Sequence, residues 1–195
     1  MIKIIRRSVA VAALVVAAAP AAAQACTQPS TSQPFAQFGD TADYWLAPGG
    51  GFESGTAPWT LTDAAVTAGN EKFLVGSPTD SQSLSIQPGG VAVSPAFCVD
   101  QTNPTLRLFA KKVGWGGLTV ELLYTNADGR YSERWAGVIA PTPSWAPTTV
   151  LDLANAMPAG QVAKSDMSVR LRFTASEDGD EWAIDDVYID PFRFG

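Results

Sequence analysis

The sequence predicts an all-β domain, an antiparallel β-sandwich of the jelly-roll kind preceded by an extended amino-terminal arm. Three observations point there. Short runs of alternating apolar and polar residues recur along the chain, separated by turn residues about every 8 to 12 positions. Helical periodicity is confined to one brief candidate turn at 153–157, and no strand–helix–strand rhythm occurs, which argues against a parallel sheet.

Taken in order, residues 1–25 have the three zones of a secretory signal peptide. These are a basic start (Lys3, Arg6, Arg7), an apolar run over 9–19 and a small-residue exit at Ala23-Gln24-Ala25. The apolar run is shorter than the roughly 20 residues a membrane span requires, so no membrane span is expected and the protein is read as secreted and extracellular. Arg6-Arg7 fits the twin-arginine route less well than ordinary secretion. Residues 26–50 are rich in Gln, Ser, Pro and Gly, with only a few aromatic anchors, and read as the extended arm. The remainder, 51–195, is one domain.

Within that domain, short strands are expected at 59–61, 73–75, 83–86 and 91–93, with Ser77-Pro78 and Pro88-Gly89-Gly90 as turns. Clearer alternation follows. Leu106, Leu108 and Ala110 oppose Arg107, Phe109 and Lys111; Leu118, Val120 and Leu122 oppose Thr119 and Glu121; Val169, Leu171 and Phe173 oppose Arg170 and Arg172. Asn126-Ala127-Asp128-Gly129 is a strong hairpin signal that should pair 117–125 with 130–139. Further strands are expected at 148–153 and 182–190.

Charge and composition exclude several function classes. Cleavage before Cys26 removes three of 13 basic residues and none of the 19 acidic ones, taking the net charge from −6 to −9. Nucleic acid and anionic membranes are therefore not expected partners. The absence of histidine rules out histidine triads, histidine bases and most zinc or copper sites. Two cysteines, Cys26 and Cys98, survive processing, and an even count in an oxidising compartment favours a disulfide. That bridge would close a loop of about 72 residues, for which chain entropy gives roughly 4 kcal/mol. The alternative for Cys26 is lipidation, although Ala23 stands where a lipoprotein signal usually has Leu.

Gly50-Gly51-Phe52-Glu53-Ser54-Gly55 with Trp59, Ser83-Leu84-Ser85-Ile86, and Trp182-Ala183-Ile184-Asp185-Asp186-Val187-Tyr188-Ile189 carry a resemblance. Together they resemble the opening, small and closing strands of galactose-binding-like jelly rolls, the group that includes many carbohydrate-binding modules. The plan is also similar to that of small secreted actinobacterial proteins. The resemblance implies a structural Ca²⁺ where the opening and closing strands meet, with Glu53 and Asp186 as carboxylate ligands and backbone carbonyls completing a shell of roughly six to eight oxygens. The acidic turn 177–181 lacks the spacing of a Ca²⁺ loop and reads as a solvated turn.

Glycoside hydrolysis needs two carboxyl groups facing across a cleft. Glu121 and Glu133, on the two strands of the expected hairpin, are the nearest approach, and they read as surface carboxylates bonded to Arg107, Arg134, Arg170 or Arg172. No nucleophile elbow, phosphate loop or thiol-redox pair is present. No catalytic residue is therefore assigned. Of six tryptophans, Trp59 and Trp182 should be core, while Trp115 and Trp145 sit in loops. Trp135 alternates with Glu133 and Tyr131 on one strand face. If that face also bears Arg107, Lys111, Glu121, Arg170 and Arg172, it offers an aromatic floor among charged hydrogen-bonding groups, suited to a polysaccharide or surface glycan. The opposite register would bury Trp135 and expose Arg134. The candidate ligand-binding set is thus Tyr131, Glu133, Trp135, Arg107 and Arg172. The expected function is that of a monomeric, non-catalytic binding module. An extracellular structural or interaction protein is the alternative, and a glycan-active hydrolase or lyase is a more distant one.

Overall fold

The computed structural model describes residues 29–55, 58–99, 105–126, 130–156 and 167–190. Among these are eleven strands: β1 (Trp45–Leu46), β2 (Thr60–Ala68), β3 (Gln82–Val93), β4 (Phe97–Val99), β5 (Thr105–Lys111), β6 (Leu118–Thr125), β7 (Tyr131–Ile139), β8 (Ala146–Pro147), β9 (Leu151–Asp152), β10 (Met167–Ala175) and β11 (Trp182–Asp190). The expected signal peptide, Cys26 and the tip of the expected hairpin at 127–129 lie outside the described residues.

The strands form one antiparallel sheet that curls into two facing layers of a β-sandwich, in the order β7-β6-β10-β3-β11-β5-β8. The curl originates in the β2–β3 hairpin. The first half of β3 pairs with β11 (Ile86 opposite Trp182), and its second half pairs with β10 (Val93 opposite Arg172). The hairpin therefore belongs to both layers. Its bend is a bulge between Thr62 and Ala64, with Asp63 at φ 47°. Facing the bulge is Gly90, where a Cβ would stand 2.5 Å from the Asp63 carbonyl, so only glycine fits.

The alternating residues of β5, β6 and β10 close the space between the layers. Leu106, Leu108 and Ala110 face Leu118, Val120, Leu122, Val169, Leu171 and Phe173, with Leu84, Ile86, Trp182 and Ile184 completing the core. The described part of the arm makes a second, smaller cluster on the other side of β5 and β11, where Phe35 stacks on Phe109 at 5.3 Å and packs edge-on against Tyr44 and Tyr188. β11 thus lies between two apolar clusters, and all nine of its residues are buried.

Several elements differ from the sequence expectation for identifiable reasons. Residues 73–75 form a loop, because the buried Glu71 carboxylate accepts the amides of Phe73 and Val75 that a strand would have used. The expected strands at 83–86 and 91–93 are one strand running through Pro88-Gly89-Gly90. β2 extends to Ala68 through an alanine-rich stretch of low strand propensity, held by its ladder to β3. The expected strand at 148–153 reduces to two-residue pairings of β8 and β9 with β5, followed by a 3₁₀ turn at Ala154–Ala156.

The acidic turn between β10 and β11 is organised by a lysine. Lys112 is 2% exposed, and its ammonium donates to the carbonyls of Asp178 (3.1 Å) and Asp180 while lying 5.6 Å from the Trp182 ring centroid. Replacing it with methionine keeps the stem and removes both bonds. Lys112→Met is expected to destabilise the domain by about 1–3 kcal/mol and to speed amide exchange across 177–181, as read by denaturant midpoint and hydrogen exchange; exchange unchanged at those amides would contradict this role.

Candidate functional site

The outer face of the β7-β6-β10 layer carries the aromatic strand predicted from sequence. The register sets Trp135 opposite Glu121, and Glu121 opposite Arg172; the next row is Glu133, Leu123 and Arg170; Tyr131 follows, opposite Thr125. A bulge between Val120 and Glu121 leaves Ala136 without a partner and switches the phase of β7, so Trp135 points outward while Gly137 and Ile139 are buried. Trp135 is 65% exposed and Tyr131 59%. Four residues apart on one strand, they stand about 13 Å from each other along the sheet.

Between them is a charged network centred on Arg172. Its Nη1 and Nη2 donate to the two oxygens of Glu133 at 2.9 and 2.6 Å, and Nε donates to Glu121 at 2.8 Å. The hydrogen bonds and charges of Glu133 and Glu121 push the guanidinium pKa further up, and the three bonds hold it in one orientation. The face therefore carries a row of planar groups: an indole, a guanidinium flanked by carboxylates, and a phenol.

Arg107 is a correction to the expected site. It lies on β5, in the opposite layer, with Nε donating to the Thr148 carbonyl at 2.9 Å, its guanidinium paired with Asp40, and its plane 4.6 Å from the Phe35 ring centroid. Lys111 is on β5 as well. Alternation places a residue on one side of its own strand but does not say which layer the strand joins, and the pairing of β5 with β11 decides that. Of the remaining tryptophans, Trp59 and Trp182 are buried as expected, Trp145 lies under Lys111 and Trp115 is 85% exposed.

The opening motif, expected as a strand, is a run of turns over 50–54, and it meets the closing motif through backbone bonds. Ala47 N and Val187 O, and Val187 N and Gly50 O, pair at 2.8 and 3.0 Å across a bulge in β11 at 185–188. Around this junction stand five carboxylates. Glu53 accepts the amides of Ser81 and Gln82 at 2.8 and 2.7 Å and so holds the end of the β2–β3 loop. Asp185 accepts the amides of Glu71 and Asp186. Asp186, at φ 49°, is 2% exposed, and its Oδ2 has no hydrogen-bond partner. Beside it is Asp80: a Cβ on Gly76 would stand 2.6 Å from an Asp80 oxygen and 3.1 Å from Asp186 Oδ1, so the glycine leaves a small cradle between the two carboxylates. Among the described residues, no three acidic or thiol side chains stand close enough to hold a metal ion. Any cation here would need backbone carbonyls or water as well.

Asp80 and Glu71 were not singled out from sequence. Asp80 follows Ser77-Pro78-Thr79, where an acidic residue reads as ordinary turn chemistry, and Glu71 has no apolar pattern around it that would signal burial.

Burial and the charges of its neighbours raise both β11 carboxyls, Asp185 to about 9, chiefly by desolvation and then by Asp186, and Asp186 to about 7, by desolvation and then by Glu71, Asp80 and Glu53.

No family model and no curated protein matches the sequence. Solved structures do match in fold. The enzymatically active domain of tailspike protein 4 from bacteriophage CBA120 superposes with a TM-score of 0.52 at 18% identity, over 74% of this chain and 21% of that one. The amino-terminal CBM22-1–CBM22-2 tandem domain of Paenibacillus barcinonensis Xyn10C gives 0.51 at 14% identity, over 79% and 46%. A family 11 carbohydrate-binding module from Clostridium thermocellum, solved with a β-1,3-1,4-mixed-linked tetrasaccharide, gives 0.48 at 12% identity, over 78% and 98%. This chain thus spans about a fifth of the tailspike chain and under half of the tandem. The fold is an antiparallel β-sandwich shared with the tailspike domain and the CBM22 tandem.

Both raised values lie above the ordinary carboxyl value of 3.8, so in metal-free protein the folded form retains protons that the unfolded chain has already released. That contribution is complete below the unfolded value and is lost as pH rises through about 7 and then about 9. The thermal midpoint of chelator-treated protein is therefore expected to fall by several degrees between about pH 5 and 9, and Asp185→Asn should flatten the slope; a midpoint that rises over this range would overturn the assignment.

Proposed function

We propose that this protein is a secreted, non-catalytic binding module for carbohydrate, using the outer face of the β7-β6-β10 layer. The observation that carries the reading is the pair of exposed rings, Trp135 and Tyr131, on one face with the Arg172–Glu133–Glu121 network. A pyranose presents an apolar C–H face and a rim of hydroxyls. An exposed indole covers the first, while carboxylates and a guanidinium held in a fixed plane bond the second. An open strip about 13 Å long suits a chain of several sugars more than a single ring. Hydrolysis at the same place is disfavoured, because Arg172 occupies the space between the two carboxylates where a glycosidic bond would have to lie.

The acidic junction on β11 favours a structural Ca²⁺. Asp186 and Asp80 would hold it at the Gly76 cradle, with Glu53 adding negative charge from the adjoining loop, and a hard divalent ion would keep both carboxylates ionised. Export by the signal peptide and a bridge between Cys26 and Cys98 complete the reading. Cys98 lies on β4, which extends the β10 ladder, so the bridge would tie the start of the mature chain to the sandwich.

A second reading, a surface protein that contacts other proteins, draws support from β2, a nine-residue edge strand with mostly exposed residues and no lysine or proline to guard it.

Screening the secreted protein on arrays of neutral and acidic glycans separates the two. Binding is expected, with Trp135→Ala weakening it about tenfold or more; silence across the array would favour the protein-contact reading, and hits indifferent to Trp135→Ala would remove the site. Added Ca²⁺ should raise the thermal midpoint and remove the part of its fall centred near pH 7, which Asp186 supplies, leaving the part due to Asp185; no effect on fully chelated protein would eliminate the ion. Intact mass of secreted protein should correspond to a chain starting at Cys26 and two hydrogens lighter than its reduced form, and a lipid adduct at Cys26 would replace the bridge with an anchor.

A further inference from the structure

A second concavity lies on the opposite layer. It has a volume of about 640 Å³ and opens on the outer surface where β3, β11 and β5 adjoin, near the loops at 112–117 and 176–181. That is within the roughly 300–1,000 Å³ typical of small-molecule sites. Its polar lining comes from Gln87, Lys111, Lys112, Asp180 and Glu181, and its apolar lining includes Val113 and Pro143.

The groups are fixed in place. Glu181 Oε2 accepts from Ser85 Oγ at 2.7 Å and from Gln87 Nε2 at 2.9 Å, while its Oε1 has no hydrogen bond among the described residues. The two donors hold this carboxyl below its ordinary value. Lys111 lies 5.1 Å from the Trp145 ring centroid, which steadies its ammonium on the groove wall. Gly179, under the buried Lys112, forms part of the floor, and the Trp115 carbonyl lies 2.9 Å from where a Cβ on Gly179 would stand. The Trp115 backbone thus packs against the lining glycine, and its indole is 85% exposed.

The lining selects among ligands. An anion would meet Asp180 and Glu181, and a metal ion would meet Lys111, so neither suits the groove. A neutral molecule with adjacent hydroxyls and an apolar face suits it: hydroxyls donate to Glu181 Oε1 and accept from Lys111, and the C–H face lies on Val113 and Pro143. We infer that this groove is a second sugar-binding site, sized for one or two monosaccharide units at the end of a glycan, back to back with the aromatic strip. The choice of a sugar as ligand rests on the reading of the first site; the groove and its preference for a neutral polyol do not. Two sites on opposite faces would let one domain join two glycans.

The test uses the Trp135→Ala protein, in which the first site is disabled, and the methyl glycosides of glucose, galactose, mannose and xylose as probes, followed by amide chemical shifts. At least one glycoside at millimolar concentration is expected to shift the amides of Gln87, residues 111–115 and 180–183. Glu181→Gln, which keeps the side-chain shape, should weaken that response about fivefold or more, and Trp115→Ala should weaken it less. Absence of shifts there with all four probes would overturn the groove and leave the array result on the first site standing. Shifts present in the native protein but lost in Trp135→Ala would show that the two sites are one, which also overturns it.

Discussion

Two adjacent carboxylates sit in the middle of a strand that water does not reach, and much of the molecule is arranged around them. β11 is buried along its whole length, yet it carries Asp185 and Asp186. Desolvating charge is among the most expensive acts in folding, so each carboxylate demands donors, a proton or a cation. Asp185 obtains two backbone amides, one of them its neighbour's. Asp186 turns into the left-handed region and breaks the β11 ladder to β5, and the opening loop takes up the freed backbone through Val187. The junction that marks the fold is therefore a consequence of where these two side chains must go.

The curled sheet then determines what each outer face can present. Because the β2–β3 hairpin is shared, the layers are splayed from a common hinge, and each exposes its own outer surface. On one, the bulge at Ala136 separates β7 into an inner half, which seals the core through Ile139, and an outer half free to display Tyr131, Glu133 and Trp135. On the other, β3, the end of β5 and the start of β11 bring an amide, a lysine and an acidic turn together. The same device, a local break in a regular ladder, produces both the carboxylate junction and the aromatic strip.

Much of this was legible in the chain. The alternation in β5, β6 and β10 marked the core residues, Asn126 to Gly129 marked the β6–β7 hairpin, and the shared face of Tyr131, Glu133 and Trp135 followed from their spacing. What was not legible depends on long-range pairing. Arg107 and Lys111 were grouped with Arg172 because their side of β5 was clear and its layer was not. The loop at 73–75 looked like a strand because nothing local reveals that Glu71 is buried and claims its amides. Asp80 joined the acidic junction only through the approach of the β2–β3 loop to β11, across more than a hundred residues of sequence.

Lys112 performs a task that loops of this kind often delegate to a bound ion: a positive charge gathering backbone carbonyls from a tight, acidic turn. Being covalently attached, that charge has no dissociation constant and no dependence on supply, so the turn's order does not depend on the divalent ions in the medium. The molecule would then hold its two acidic regions under different regimes, one permanent and one subject to mass action. The face next to the permanent one keeps its shape with or without those ions.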